Sequence, residues 1–244
     1  MRRIGALALA ALLAAGAARA EAFTPEQRQE ILDVVREALK RDPTILREAL
    51  MALEESEKRD RAAAARGAIA EHGAALFRDP ADPVKGNAEG AVTLVEFFDA
   101  RCGYCKQMEP AVEEMLRRQR DVRLVLKDLP VLGPNSVLAS RALLAAQRQG
   151  KYAELHEALM RLREEPAEPV LKREAERVGL DWPRLRHEME DPAIQRRLDA
   201  NLRLARALQV QGTPALFIGD RMVPGAVDLA SLEKLVAEAR VAQR

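Results

Sequence analysis

With only two cysteines in 244 residues, this chain cannot be braced by a disulfide framework, and a domain of its size does not need one. Histidine is almost as scarce. His72, His156 and His187 lie far from the cysteines and from one another, so no four-ligand structural zinc site is spelled out. Each histidine reads as an ordinary helix-surface residue. An excess of one charge is also missing: 39 Lys and Arg stand against 38 Asp and Glu, which removes the electrostatic footprint of a nucleic-acid binder. Aromatic residues make up 3% of the chain, and abundant Ala, Leu and Arg favour a helix-rich body. Beyond residue 20, no apolar run is long enough to cross a bilayer.

The first 20 residues have the form of an export signal. Arg2 and Arg3 make a basic start, residues 4–18 are almost unbroken small or apolar, and Ala18-Arg19-Ala20 has the small-x-small pattern of a cleavage site. The alternative, an uncleaved anchor, sits poorly with so short a run. The expected divisions are a signal peptide at 1–20, a helical segment and linker at 21–72, and a main domain at 73–244. A chain exported by a Gram-negative cell lies in the periplasm, where disulfides form and persist.

After the signal, Thr24-Pro25-Glu26-Gln27 combines an N-cap, a proline at the first helical position and a glutamine that completes a capping box. Ile31, Val34, Val35, Ala38 and Leu39 then recur at helical spacing. Asp42-Pro43 interrupts the pattern, and Ile45, Leu46, Ala49, Leu50 and Leu53 form a second stripe. Two such stripes cannot bury themselves. They pack on copies of the chain or on its own main domain, and the charged, alanine-rich stretch at 54–72 reads as a helical linker.

Within the main domain, Leu76-Phe77 is a candidate short strand before a turn-rich piece from Asp79 to Asn87. The mostly apolar run at 92–98 reads as a strand buried on both faces. A helix through 106–118 and a strand at 123–126 complete a βαβ unit. Helices are expected near 136–149, 151–163, 169–178, 183–189 and 192–208. Strands follow at 215–218 and 221–223, joined by a Gly219-Asp220 turn, and a helix at 229–242 closes the chain. The fold class is α/β, in the order βαβ, helical insertion (about 134–208), ββα.

Cys102-Gly103-Tyr104-Cys105 contains both cysteines and sits where the first long strand gives way to a helix. A thiol there faces unpaired backbone N–H groups and the positive end of the helix dipole, both of which favour the thiolate that attacks disulfides. Cys102, nearer the helix end, is the candidate nucleophile. Cys105, one turn further in, is placed to resolve a mixed disulfide. Glu96 interrupts the apolar strand six residues before Cys102. Buried, it would move the proton of Cys105; otherwise it reaches solvent or pairs with Lys127 on the neighbouring strand. Arg101, Lys106, the Glu164–Glu168 cluster and the Arg196-Arg197 pair read as solvated helix charges.

The element order, the run from Val95 through Cys105 and the segment Gly212-Thr213-Pro214-Ala215-Leu216-Phe217-Ile218 together resemble the DsbA-like branch of the thioredoxin superfamily, over roughly residues 75–244. The resemblance implies a thioredoxin-like fold with a DsbA-type helical insertion, a cis-proline loop at Thr213-Pro214 that pairs with substrate backbone, and a buried acid at Glu96. Strongly oxidising members carry Pro-His between the cysteines. Gly103-Tyr104 is instead the pair of DsbC-type isomerases and of suppressor-of-copper-sensitivity C proteins, and it implies a less oxidising couple suited to reshuffling disulfides. Tyr104 either offers substrate an aromatic surface or packs at the helix start.

The implied activity is that of an exported thiol-disulfide oxidoreductase, working as an isomerase or reductase without a cofactor or resident metal. Its implied partners are cysteine-containing exported clients and a membrane redox protein that resets the cysteines. The helical segment at 21–72 implies a homo-oligomer, with a trimer favoured. Three rivals remain: a DsbA-type oxidase, a copper(I)-binding protein using both thiolates with Met108 one turn away, and a binding-only chaperone whose activity would survive Cys102→Ala.

Overall fold

A computed structural model describes residues 23–242; the expected signal peptide at 1–20 lies outside them. The chain divides between Arg59 and Asp60 into two compact units. In the first, helix α1 (Pro25–Arg41) starts at the expected capping box. The Thr24 hydroxyl accepts from the Gln27 N–H at 3.3 Å, and the Gln27 side chain accepts from the Thr24 N–H at 2.9 Å. Helix α2 (Thr44–Phe77) begins after Asp42, whose carboxylate accepts from the Thr44 N–H. No residue of α1 is buried, and Ile31, Val34, Val35, Leu46, Leu50 and Leu53 are all exposed.

α2 runs past both Arg59 and the expected boundary at residue 72. It also absorbs Leu76-Phe77, which is helix and not the expected strand. Leu76 sits seven residues after Ile69 and completes the helical stripe, so both are buried against the sheet. The edge strand comes later, as β1 (Val84–Gly86), in the piece that composition marked as turns. Gly86 ends it with φ of 75°, and a Cβ there would stand 2.7 Å from the Val122 carbonyl, a contact only glycine avoids.

The remaining elements follow the expected order. They are β2 (Val92–Phe98), α3 (Gly103–Arg118), β3 (Val122–Asp128), α4 (Pro134–Gln147), α5 (Tyr152–Arg161), α6 (Glu168–Arg177), α7 (Trp182–Glu188), α8 (Pro192–Ala207), β4 (Ala215–Ile218), β5 (Arg221–Pro224) and α9 (Leu229–Ala242). The five-stranded sheet has the order β1-β3-β2-β4-β5, with β2 and β3 parallel and every other neighbouring pair antiparallel.

Strand alternation divides the core into two layers. Leu94 and Phe98 of β2 pack with Cys105, Met108 and Val112 of α3, with α4 and α5, and with Leu232 and Val236 of α9. Val95 and Phe97 face the other way, onto Ile69 and Leu76 of α2, Leu204 and Leu208 near the end of α8, and Phe217 of β4. Both faces of the central strands are therefore covered, which accounts for the nearly continuous apolar run in β2. The C-terminal end of β2 opens onto the turn that carries Cys102.

Candidate active site

The turn from β2 into α3 places Cys102 at the N-cap of α3, with extended backbone (φ −67°, ψ 118°) and no side-chain cap bond. The first N–H groups of the helix therefore lie beneath its sulfur without a capping oxygen to occupy them. The Cys102 N–H donates to the Asp99 carbonyl at 2.9 Å. Cys102 Sγ donates to the Thr213 carbonyl at 3.2 Å, and the Thr213–Pro214 peptide is cis. Residues 111 positions apart in sequence thus meet at one sulfur.

Cys105 is completely buried, whereas Cys102 keeps 6% of its surface and Tyr104 is 67% exposed. Tyr104, between the two cysteines, stands largely in solvent at the start of α3. Met108 lies beneath Cys105 in the core.

Glu96 faces the cysteine layer and is 1% exposed, with Oε2 lacking any hydrogen-bond partner. Burial first, and then the Glu109 carboxylate, push its carboxyl up to about 8, and Lys85 offsets part of that rise. The alternative of a Glu96–Lys127 pair is excluded by alternation. Glu96 is level with Leu126 and Phe97 with Lys127, so the two charges point to opposite faces of the sheet. Lys127 instead reaches Asp82 at 2.5 Å and the Ala75 carbonyl at 2.6 Å. The Cys105 thiol is raised well above the ordinary thiol range, by burial first and then by Glu96.

Several polar residues depart from their sequence reading. His156 is buried, not on the surface. Its ring lies edge-on to Phe98 with centroids 4.7 Å apart, and Nδ1 is 3.6 Å from Glu109. Burial holds the imidazole well below its usual range. Glu109 binds Lys85 at 2.8 Å, and Lys85 also binds Glu113. Arg197 is a tether, bonded to Asp79 and Asp82. Glu165 lies in the loop before α6 and binds Arg101 at 2.7 Å. No local pattern marks these pairings, since their partners are distant in sequence.

The site therefore brings together Cys102, Cys105, Gly103, Tyr104, Glu96, Thr213 and Pro214. Its chemistry is that of a partly covered sulfur over a helix start, a sealed second sulfur and a proton-holding acid behind. Among the described residues no group of three or more His, Cys, Asp or Glu could hold a metal ion.

A family profile described as a DSBA-like thioredoxin domain matches residues 93–237. A thioredoxin-like oxidoreductase from Silicibacter pomeroyi is 41% identical with a TM-score of 0.67, over 68% of this chain and 96% of that one. A linker-deletion mutant of ScsC from Proteus mirabilis is 31% identical with a TM-score of 0.69, over 91% of this chain and 98% of that one. Among curated relatives, a Na+/H+ antiporter (NhaA 3) of Salinispora tropica is 35% identical over 68% of this chain but 26% of its own length. The chain spans about a quarter of the length of the curated relatives it matches. Among the described residues, no helix is long and apolar enough to cross a membrane.

Proposed function

The chain belongs to the family of DsbA-like thioredoxin domains, and on that premise we propose that it is an exported, periplasmic thiol-disulfide oxidoreductase working as a disulfide isomerase or reductase. The observation that carries the reading is the contact of Cys102 Sγ with the Thr213 carbonyl, beside cis Pro214 and over the start of α3.

Cys102 attacks one sulfur of a client disulfide, forming a mixed disulfide and releasing the other client sulfur as a thiolate. In isomerisation, a second client thiolate attacks the mixed disulfide and frees Cys102. In reduction, Glu96 in its carboxylate form takes the proton of Cys105, Cys105 attacks Cys102 Sγ, and the departing client sulfur takes up a proton. The resulting Cys102–Cys105 disulfide is then reduced by a dithiol of a membrane partner. Thr213 and Pro214 align the client backbone, and Gly103 and Tyr104 flank it.

Three features favour isomerase or reductase over oxidase. No imidazole stands between the cysteines, the structural likeness to ScsC covers nearly the whole chain, and the first unit carries exposed apolar stripes suited to self-assembly. Several active sites around one misfolded client would serve reshuffling, and a homotrimer is the favoured assembly.

Reactivation of scrambled ribonuclease tests the reading. The intact protein is expected to restore nuclease activity, and Cys102→Ala to abolish that effect. A protein that leaves scrambled enzyme inactive but rapidly oxidises the reduced form would be an oxidase of the DsbA type.

A further inference from the structure

A groove of about 620 Å³ runs beside the start of α3, within the size range of small-molecule sites. One wall is the face of α3 from Gly103 to Glu113, and the other is the stretch from Glu157 in α5 to Arg163 after it. The groove begins next to Cys102. Gly103 follows that residue directly, and a Cβ on it would meet nothing within 4 Å. Lys106, one turn on, donates its backbone N–H to the Cys102 carbonyl at 3.1 Å and its ammonium to the Leu162 carbonyl at 2.6 Å. The second bond ties the two walls together at this end.

Charge is spread unevenly along the groove. Away from Cys102 the charges are matched: Glu157 pairs with Arg161, and Glu113 with Lys85. Nearer to it, Lys106 and the Arg163 that follows Leu162 have no carboxylate within ion-pair distance among the described residues. Glu165 acts on Lys106 only from further away and is itself held by Arg101 and Asn135. The first turn of α3 carries no acidic residue, and its N–H groups add to the positive end. Burial lowers the pKa of the Lys106 ammonium, so a carboxylate bound there would stabilise a charge that the protein leaves unmatched. Two of its three donors are still unused.

We propose that this groove binds a low-molecular-weight disulfide bearing free carboxylates, of the glutathione class, and presents it to Cys102, with Lys106 and Arg163 as its anion-binding residues. The proposal rests on the reading of the chain as a thiol-disulfide oxidoreductase. A small ligand fits better than an acidic client segment, because a chain continuing along the groove would meet the Glu113 and Glu157 carboxylates. In the step, the Cys102 thiolate attacks one ligand sulfur and the ligand S–S bond breaks. A mixed disulfide forms on Cys102, and the other half of the ligand leaves as a thiolate that takes a proton from water. The ligand is itself the oxidant, so the electrons balance.

The test follows loss of the free Cys102 thiol in the reduced full-length protein, by rapid acid quench, with oxidised glutathione and with uncharged hydroxyethyl disulfide. The ratio of the two rate constants is divided by the same ratio measured for dithiothreitol, which removes the intrinsic reactivity of the disulfides. The intact protein is expected to favour oxidised glutathione by about tenfold at low salt, the scale of steering into a charged cleft. Lys106→Gln with Arg163→Gln is expected to remove the preference. The hydroxyethyl disulfide rate reports any general change in the thiolate, so the ratio isolates binding. Gln107→Trp, which fills the groove without changing its charge, is expected to lower the ratio as well. A ratio near one for the intact protein, or a preference that survives in either folded variant, overturns the proposal. An intact protein whose Cys102 reacts with neither disulfide overturns the underlying oxidoreductase reading instead.

Discussion

Two protons are held where water cannot reach, on Glu96 and on Cys105, and the physics of both is burial. A carboxyl raised from its usual value to about 8 favours the folded state while protonated, and that contribution is lost as pH rises from about 4.5 through about 8. Glu96→Gln removes the titration. Relative to the parent, the variant should gain on the order of 4 kcal/mol in urea unfolding near pH 9 and almost nothing near pH 4. A difference independent of pH would show that the acid is not buried as described. Its position was legible in sequence, because a lone charge in an apolar strand is conspicuous. The buried state of His156 was not: its neighbours Phe98 and Glu109 come from other elements, and no local spacing announces them.

At the scale of elements, long apolar or well-capped segments were readable and short ones were not. β2, α3 and the α1 capping box announce themselves by run, period and cap. β1 has three residues between Pro83 and Asn87, too few to show alternation. What holds this edge is a buried charge cluster. Asp82 and Lys127 meet at 2.5 Å with both side chains almost fully buried, and Arg197 joins them from α8. Burial pushes the Asp82 carboxyl up and the Lys127 ammonium down, so desolvation outweighs their attraction. Removing one partner strands the other. Asp82→Ala is expected to cost about 3–5 kcal/mol, whereas Arg196→Ala, on the surface beside Arg197, should change stability by less than about 0.5 kcal/mol. Comparable denaturation midpoints for the two variants would contradict the cluster's role.

The whole molecule sets a catalytic unit after an amphipathic one, and assembly is the question that follows. Val34 and Leu50 are 68% and 51% exposed, on α1 and α2, and a single chain leaves both stripes in water. Val34→Asp with Leu50→Asp in the full-length protein should convert an oligomer to a monomer in light scattering. A parent protein that is already monomeric would dispose of the assembly proposal, whatever the variant does. The amphipathic stripes were visible in sequence as periodicity; the number of copies in the proposed assembly would be set by side-chain packing that periodicity does not encode. The central claim is that the Cys102–Cys105 pair exchanges disulfides with a poise suited to reshuffling. Its equilibrium reduction potential in glutathione buffers tests this most directly. A value at or below about −180 mV, in the range of isomerases, is predicted, and one near about −120 mV, that of a strong oxidant, would contradict it.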